Sequence, residues 1–217
     1  MGMTKLMKTL LAAGASLALS QAFAGQAQAA GGACPPGVPA GIFCGEPDAS
    51  LATAGTYRLD EQHASVIARV PHMGYSISIF RFDKVAGTLT WDPASPARSS
   101  VTAKVETGFV STNVAGFGQA ISDKYLGAKA NPTATFVSTA FRKTDATHGQ
   151  VDGDLTLMGK TRPVTFDVVL VGAGKGFGKP RIGMTATTRI KPGDFGMPPV
   201  FADPIELVID AEFEQQP

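Results

Sequence analysis

Apolar and polar residues alternate with a period of two through much of this chain, most clearly in residues 153–168. Leu155, Leu157, Val164, Phe166 and Val168 occupy one phase, and Asp and Thr residues fill the other. This pattern predicts two strands, each with one apolar face. Between them, 158–163 supplies Gly159 for a bend and Pro163, which cannot donate to a sheet, at the entry of the second strand. The segment predicts a β-hairpin.

The same alternation predicts a series of strands in a domain that begins near Thr56. They lie at 57–72, 77–91 with a bend at Ala86-Gly87, 101–105, 133–143, 150–158, 164–171, 181–191 and 205–214. One short helix is predicted within 116–130, before the stop at Asn131-Pro132. A mainly β, closed antiparallel barrel of about eight strands suits this set better than a sandwich, which would leave a long strand edge exposed.

The first 29 residues predict a cleaved signal peptide. Lys5 and Lys8 precede an apolar run of about ten residues, whereas a membrane span needs about twenty. We predict cleavage after Ala29, with Ala24 as the alternative, and no membrane span in the remainder. Removal of 1–29 leaves 17 basic and 18 acidic residues of the original 19 and 18, a balance that argues against nucleic acid as a partner.

Residues 30–55 form a leader rich in proline and glycine between the signal peptide and the predicted barrel domain, 56–217. The leader contains Cys34 and Cys44. In an oxidising compartment such a pair predicts a disulfide, worth about 2 to 3 kcal/mol for so short a loop. Two free thiols are the alternative. A zinc site is disfavoured, because two of its ligand positions would lack a cysteine or histidine.

Several segments of the domain carry a family pattern. GDLTLMGKTRPVTFDV at 153–168 follows G-D-L-T-x-x-G-x-T-x-P-V-T, and YRLDEQHASV at 57–66 is similar to Y-x-x-D-x-x-H-S-x-V with one residue inserted before the serine. NPTATFVST at 131–139 and the D-F-G turn at 194–196 add support. Together they resemble the YceI-like family of secreted polyisoprenoid-binding proteins, whose fold is similar to the lipocalin barrel. Phe80 stands where the family often has glycine, a change expected to narrow the lumen, and Pro192 stands where it often has arginine.

The resemblance implies a periplasmic or secreted barrel that binds, stores or ferries an isoprenoid lipid, either a polyprenyl chain or an isoprenoid quinone. Each buried methylene of such a chain would contribute about 0.8 kcal/mol. We expect His63 or His72 to meet a polar head group, and the helix residues Phe117, Ile121, Tyr125 and Leu126 to cover an opening. The expected lumen residues are Val66, Ala68, Val70, Phe80, Phe82, Val105, Phe136, Leu155, Leu157, Phe166, Val168, Leu207, Ile209 and Phe213.

No residue pattern points to catalysis, a metal or a cofactor. In one continuous strand His63 and His72 would lie about 30 Å apart on opposite faces, and a G-x-S-x-G motif is absent. We therefore expect a binding protein. Two alternatives stay open: a structural or interaction barrel without a ligand, and a secreted hydrolase if either histidine lies near a serine and a carboxylate. A homodimer is also left open.

Overall fold

The computed structural model describes residues 34–39, 43–201 and 204–217. The predicted signal peptide lies outside the described residues. Within them, the alternating segments form eleven strands of one antiparallel sheet, and no helix is long or apolar enough to cross a bilayer. The strands are β1 Gly55–Leu59, β2 Ser65–His72, β3 Ser76–Phe82, β4 Val85–Trp91, β5 Ser100–Glu106, β6 Val110–Ser111, β7 Thr133–Lys143, β8 His148–Leu157, β9 Lys160–Gly174, β10 Arg181–Ile190 and β11 Ile205–Gln215.

Eight of these strands close into a barrel. In the order β1-β4-β5-β7-β8-β9-β10-β11 each strand pairs with the next, and β1 also pairs with β11 through Tyr57–Gln215 and Leu59–Phe213. Closure gives each of these strands a neighbour on both sides over at least part of its length. The predicted closed antiparallel barrel of about eight strands is therefore confirmed.

The remaining three strands extend the sheet from β11. One edge of β11 pairs with two strands. Its C-terminal part pairs with β1, and its N-terminal part pairs with β2, where Leu207 is opposite Ala68. Strand β3 continues from β2, and the short β6 pairs with β3 at Arg81 and Phe82. One strand of the barrel thus belongs to two neighbouring parts of the sheet.

Two predicted strands are each divided in the structure. Residues 57–72 form β1 and β2, separated by a turn in which Asp60 accepts hydrogen bonds from the backbone amides of Gln62 and His63. Asp favours such turns because its side chain and carbonyl both bond locally. Residues 77–91 form β3 and β4 and break at Asp83 and Lys84, whereas the predicted bend at Ala86-Gly87 lies within β4. His63 and His72 therefore do not share one continuous strand.

The central hairpin has a tighter turn than predicted. Met158 and Gly159 occupy it with φ angles of 52° and 72°, the positive pair required by a two-residue type I′ turn. Pro163 is not at the strand entry but inside β9, opposite Asp154. Strand β10 pairs with β9 only from Asp167 onward, so a missing N–H is tolerated at Pro163 because that stretch of β9 has one neighbour.

The predicted helix is present but shorter than its sequence window. Helix α1 spans Phe117–Ala120 and continues as a wider π-type turn at Ile121–Tyr125. Gly127 then adopts a φ of 56°, a left-handed conformation that ends the helical segment. Single 3₁₀ turns at Ala49–Leu51, Pro96–Arg98, Gly176–Gly178 and Pro192–Phe195 complete the described elements.

An ion cluster ties the β1–β2 turn to β10 and β11. Arg181, 15% exposed, donates from Nη1 to Asp60 at 2.9 Å and to Glu212, and from Nη2 to Glu214. Asp60 also contacts His63 Nδ1 at 2.9 Å. Partial burial raises the pKa of Asp60, but the hydrogen bonds from His63 and Arg181 outweigh it and bring that pKa to about 2. Ionised Asp60 thus favours the folded state.

Acid is expected to remove this contribution. Because the folded-state pKa of Asp60 is depressed, its stabilisation is full above the usual value of 3.8 and is lost as pH falls towards about 2. With allowance for solvent screening, the loss is about 1 kcal/mol. Urea unfolding of the wild type and Asp60→Asn across this pH range measures it as the difference between the two proteins. The same acid dependence in both would contradict the assignment.

Candidate functional site

An apolar cavity of about 580 Å³ lies within the closed barrel. Its volume falls in the range of about 300–1,000 Å³ that is typical of small-molecule sites. The walls come from the inward phase of seven strands, β4, β5 and β7 to β11. Their apolar lining residues are Leu89, Trp91, Val101, Ala103, Phe136, Phe141, Val151, Phe166, Val168, Leu170, Ile182, Met184, Ala186, Ile209, Ala211 and Phe213.

Among the described residues, the charged side chains that line the cavity are all exposed. They lie at a rim formed largely by the end of β7, the start of β8 and the loop between them. Arg142 forms an ion pair with Asp152, and Asp145 accepts hydrogen bonds from the amides of Thr147 and His148, each at 2.8 Å. These amides and the His148 side chain lower the pKa of Asp145 to about 2. The rim therefore carries both signs of charge around an apolar interior. The polar rim residues are Asp48, Ser50, Arg142, Lys143, Asp145, Thr147, His148 and Gln150.

Part of the predicted leader packs against the barrel beside this rim. The backbone of Glu46 exchanges two hydrogen bonds with Ala173 of β9, at 2.9 and 2.7 Å. Ala52 is fully buried, and residues 47–50 line the cavity. The predicted Cys34–Cys44 disulfide is present, with Cα atoms 5.2 Å apart, directly before this segment. The leader thus supplies one side of the cavity opening.

Removal of the disulfide is expected to loosen this side of the opening. In a Cys34→Ser, Cys44→Ser variant the segment before Glu46 regains chain entropy, so the Glu46–Ala173 pair should open more often. Hydrogen exchange at these two amides is expected to accelerate by about tenfold or more, since up to about 2 kcal/mol is lost locally. Exchange at Val151 in β8 is the internal control. Unchanged exchange at Glu46 would contradict this role.

A separate apolar cluster of buried residues lies outside the cavity lining, with members from β8, β10 and β11 and from β2, β3 and the helical segment. We call this the first cluster; its buried members are Ala68, Val70, Phe80, Ile121, Leu126, Leu155, Leu157, Ile190, Phe195 and Ile205. None of them lines the cavity. A second cluster, which includes Leu89, Ile182, Ala211 and Phe213, contributes directly to the cavity wall.

The structure divides the predicted lumen residues between these regions. Phe136, Phe166, Val168, Ile209 and Phe213 line the cavity. Val66 and Val105 pack against the second cluster but do not line the cavity. The other lumen residues lie in or against the first cluster instead: Ala68, Val70, Phe80, Phe82, Leu155, Leu157 and Leu207. The helix residues Ile121, Tyr125 and Leu126, which were expected to cover an opening, also lie in or against this cluster. The alternation identifies the inward face of a strand, but it does not tell where along the barrel the interior is filled.

The other predicted contacts lie away from the cavity. Phe117 is 41% exposed, and its ring centroid lies 6.0 Å from that of Phe80 in the first cluster. The side chain of His63 is 57% exposed and bonded to Asp60, and His72 is exposed at the end of β2. Neither of these histidines lines the cavity. His148 does, at the rim.

Sequence reasoning missed several wall residues that continue an apolar phase to the end of a strand. Trp91 follows Leu89 by two residues at the end of β4, and Leu170 follows Val168 in β9. The period-two pattern extended to both, so it was sufficient to find them. His148 and the residues from the leader had no such pattern. In the described ranges, no three His, Cys, Asp or Glu side chains are grouped so as to hold a metal ion.

Comparisons with known proteins agree with this architecture. A UPF0312 protein of Pseudomonas putida is 37% identical over 174 residues, which cover 77% of this chain and 91% of the relative. Protein YceI of Escherichia coli is 36% identical over 175 residues, with the same coverage.

Solved structures show the same fold. Burkholderia cenocepacia BcnA superposes with a TM-score of 0.64 at 22% identity, covering 71% of this chain and 98% of that one. A polyisoprenoid binding domain from Saccharophagus degradans gives 0.58 at 12% identity, covering 76% and 100%. The family profile described as "YceI-like domain" matches residues 57–213. This chain therefore belongs to the YceI-like domain family.

Proposed function

We propose that this protein binds an isoprenoid lipid, a polyprenyl chain or isoprenoid quinone, in the barrel cavity and stores or carries it in the periplasm. One observation carries the proposal: the cavity walls are apolar, and the charged lining residues are confined to an exposed rim. Transfer of an apolar chain from water into such a site is favourable, and it does not require burial of a charged group. The rim suits a polar head group that remains partly solvated.

The comparisons support the class of ligand. The structural neighbour from Saccharophagus degradans is named as a polyisoprenoid binding domain, and it shares the fold of this chain. The Cys34–Cys44 disulfide is consistent with an oxidising compartment such as the periplasm. A binding role needs only shape and apolar surface, and both are present in the cavity.

A hydrolase is supported less well by the rim geometry. His148 Nδ1 lies 2.9 Å from Asp145 Oδ1 and 3.1 Å from the hydroxyl of Thr147. A nucleophile, base and orienting carboxylate act in series through both ring nitrogens of the histidine. Here one nitrogen makes both contacts, so this group cannot pass a proton from the hydroxyl while the carboxylate orients the ring.

Organic extraction of the full chain, purified from its native host, tests the proposal directly. Mass spectrometry is expected to find a prenyl-chain lipid at a substantial fraction of the protein concentration. The delipidated protein should then take up an added prenylquinone, followed by quenching of Trp91, the single tryptophan of the chain, at the cavity wall. Absence of both extracted lipid and uptake would overturn the proposal and favour a structural barrel.

A further inference from the structure

The cavity ends inside the barrel at an aromatic pair. Phe136 of β7 and Phe166 of β9 both line it, with ring centroids 5.1 Å apart and ring planes at 79°. Phe166 is 4% exposed. Phe136 also packs against the first cluster, whose buried members do not reach the cavity. The pair therefore separates the hollow part of the barrel from the packed part.

The position of Phe136 is fixed by the glycine opposite its ring. A Cβ built on Gly153 of β8 would lie 2.4 Å from Phe136 Cζ and 2.4 Å from the Val137 carbonyl oxygen. The ring thus lies directly over Gly153, in space that any other residue would fill. This edge-to-face pair, resting on a glycine and backed by a packed cluster, has little freedom to move aside.

The remaining volume limits the length of chain that fits. A cavity of about 150 Å³ holds benzene, or about 25 Å³ for each carbon. By that measure the 580 Å³ cavity holds about 23 carbons, enough for about four complete isoprene units of five carbons each. A longer chain must leave its excess at the exposed rim or displace Phe136.

We infer that Phe136, supported by Phe166, sets the chain-length selectivity of the site at about four isoprene units. This inference rests on the proposed function. The terminal isoprene unit lies against the aromatic pair, and the head group lies at the rim near Lys143 and His148. Phe136 is then a specificity-determining residue that contacts the end of the ligand.

A ladder of benzoquinones with one common head group and two, three, four, six or eight isoprene units tests this limit, with quenching of Trp91 as the measurement. In the wild type, affinity is expected to rise by about tenfold or more per unit up to four units and then to level off. Affinity that continues to rise at six and eight units would overturn the inference. Binding of no quinone at all would instead count against the proposed function.

The Phe136→Ala variant should move the limit. Removal of the ring extends the cavity, so the six-unit quinone is expected to gain about tenfold in affinity while the two-unit quinone changes little. Phe80→Ala is the control, because it removes a buried ring of the first cluster that does not line the cavity. Equal gains in both variants, or none in Phe136→Ala, would overturn the inference. Phe136→Leu replaces Phe136→Ala if the latter fails to fold.

Discussion

Replacement of Val168 by phenylalanine is expected to weaken lipid binding by about 30- to 100-fold with little loss of stability. Val168 lines the cavity, and its cross-strand neighbours Gly149 and Ala186 are both small. The larger ring therefore has room to enter the lumen without overpacking the wall. There it displaces about three carbons of the ligand, each worth about 0.8 kcal/mol, or about 2 to 3 kcal/mol in all.

Val169→Phe supplies the matched control. Val169 is the next residue of the same strand, points to the other face of the sheet and is 39% exposed. Titration of each variant with a four-unit prenylquinone, beside urea unfolding, separates lost binding from lost fold. Equal affinity in the two variants would show that the ligand does not occupy the cavity.

The Gly153→Ala change is expected to lower the free energy of unfolding by about 2 to 3 kcal/mol. The added Cβ would lie within 2.4 Å of both the Phe136 ring and the Val137 carbonyl. The carbonyl belongs to β7, which pairs with β8, so it cannot move away without disturbing the sheet. Relief therefore requires a shift of Phe136, the residue that ends the cavity.

The matched control is Gly108→Ala. An added Cβ at Gly108 meets no atom within 4 Å, and the residue has no left-handed φ. Its unfolding free energy should change by no more than about 0.5 kcal/mol. Urea denaturation of both variants gives the comparison. Equal stability of Gly153→Ala and Gly108→Ala would show that the ring of Phe136 is not held over Gly153.

The strands were predictable where one face of the sheet is apolar over several residues. Strand β7 has the predicted bounds, 133–143, and the predicted start of β11 at Ile205 is confirmed. In these strands one face is more buried than the other, and this difference is visible in the sequence as an alternation of apolar and polar residues. The turn at Asp60 was missed because a turn held by one side chain interrupts the alternation only briefly. The break at Asp83 was missed because its hydrogen bonds are made with Phe109 and Ser111, which are distant in sequence.

The candidate site was predictable in kind but only partly in position. Phe136, Phe166 and Val168 carry the inward phase and line the cavity, whereas Leu155 and Leu157 carry the same phase and lie in the first cluster. The hydropathy of these residues is alike. The two sets of residues lie at different positions along the barrel axis. Leu155 and Leu157 lie in the same cluster as Ile121 and Leu126, whereas the cavity-lining residues Phe166 and Val168 do not.

By itself, the sequence determined the antiparallel strands and the family, because these follow from local periodicity and from short motifs. It predicted the closed barrel and the disulfide, and the structure confirms both. Only the tertiary structure decided where the barrel is hollow. Cavity volume depends on which side chains from distant strands meet at one level, a property set by the stagger between strands. Gly153 shows the difference. In the sequence Gly153 is part of a family motif. In the fold its lack of a side chain leaves the space that the Phe136 ring occupies at the end of the cavity.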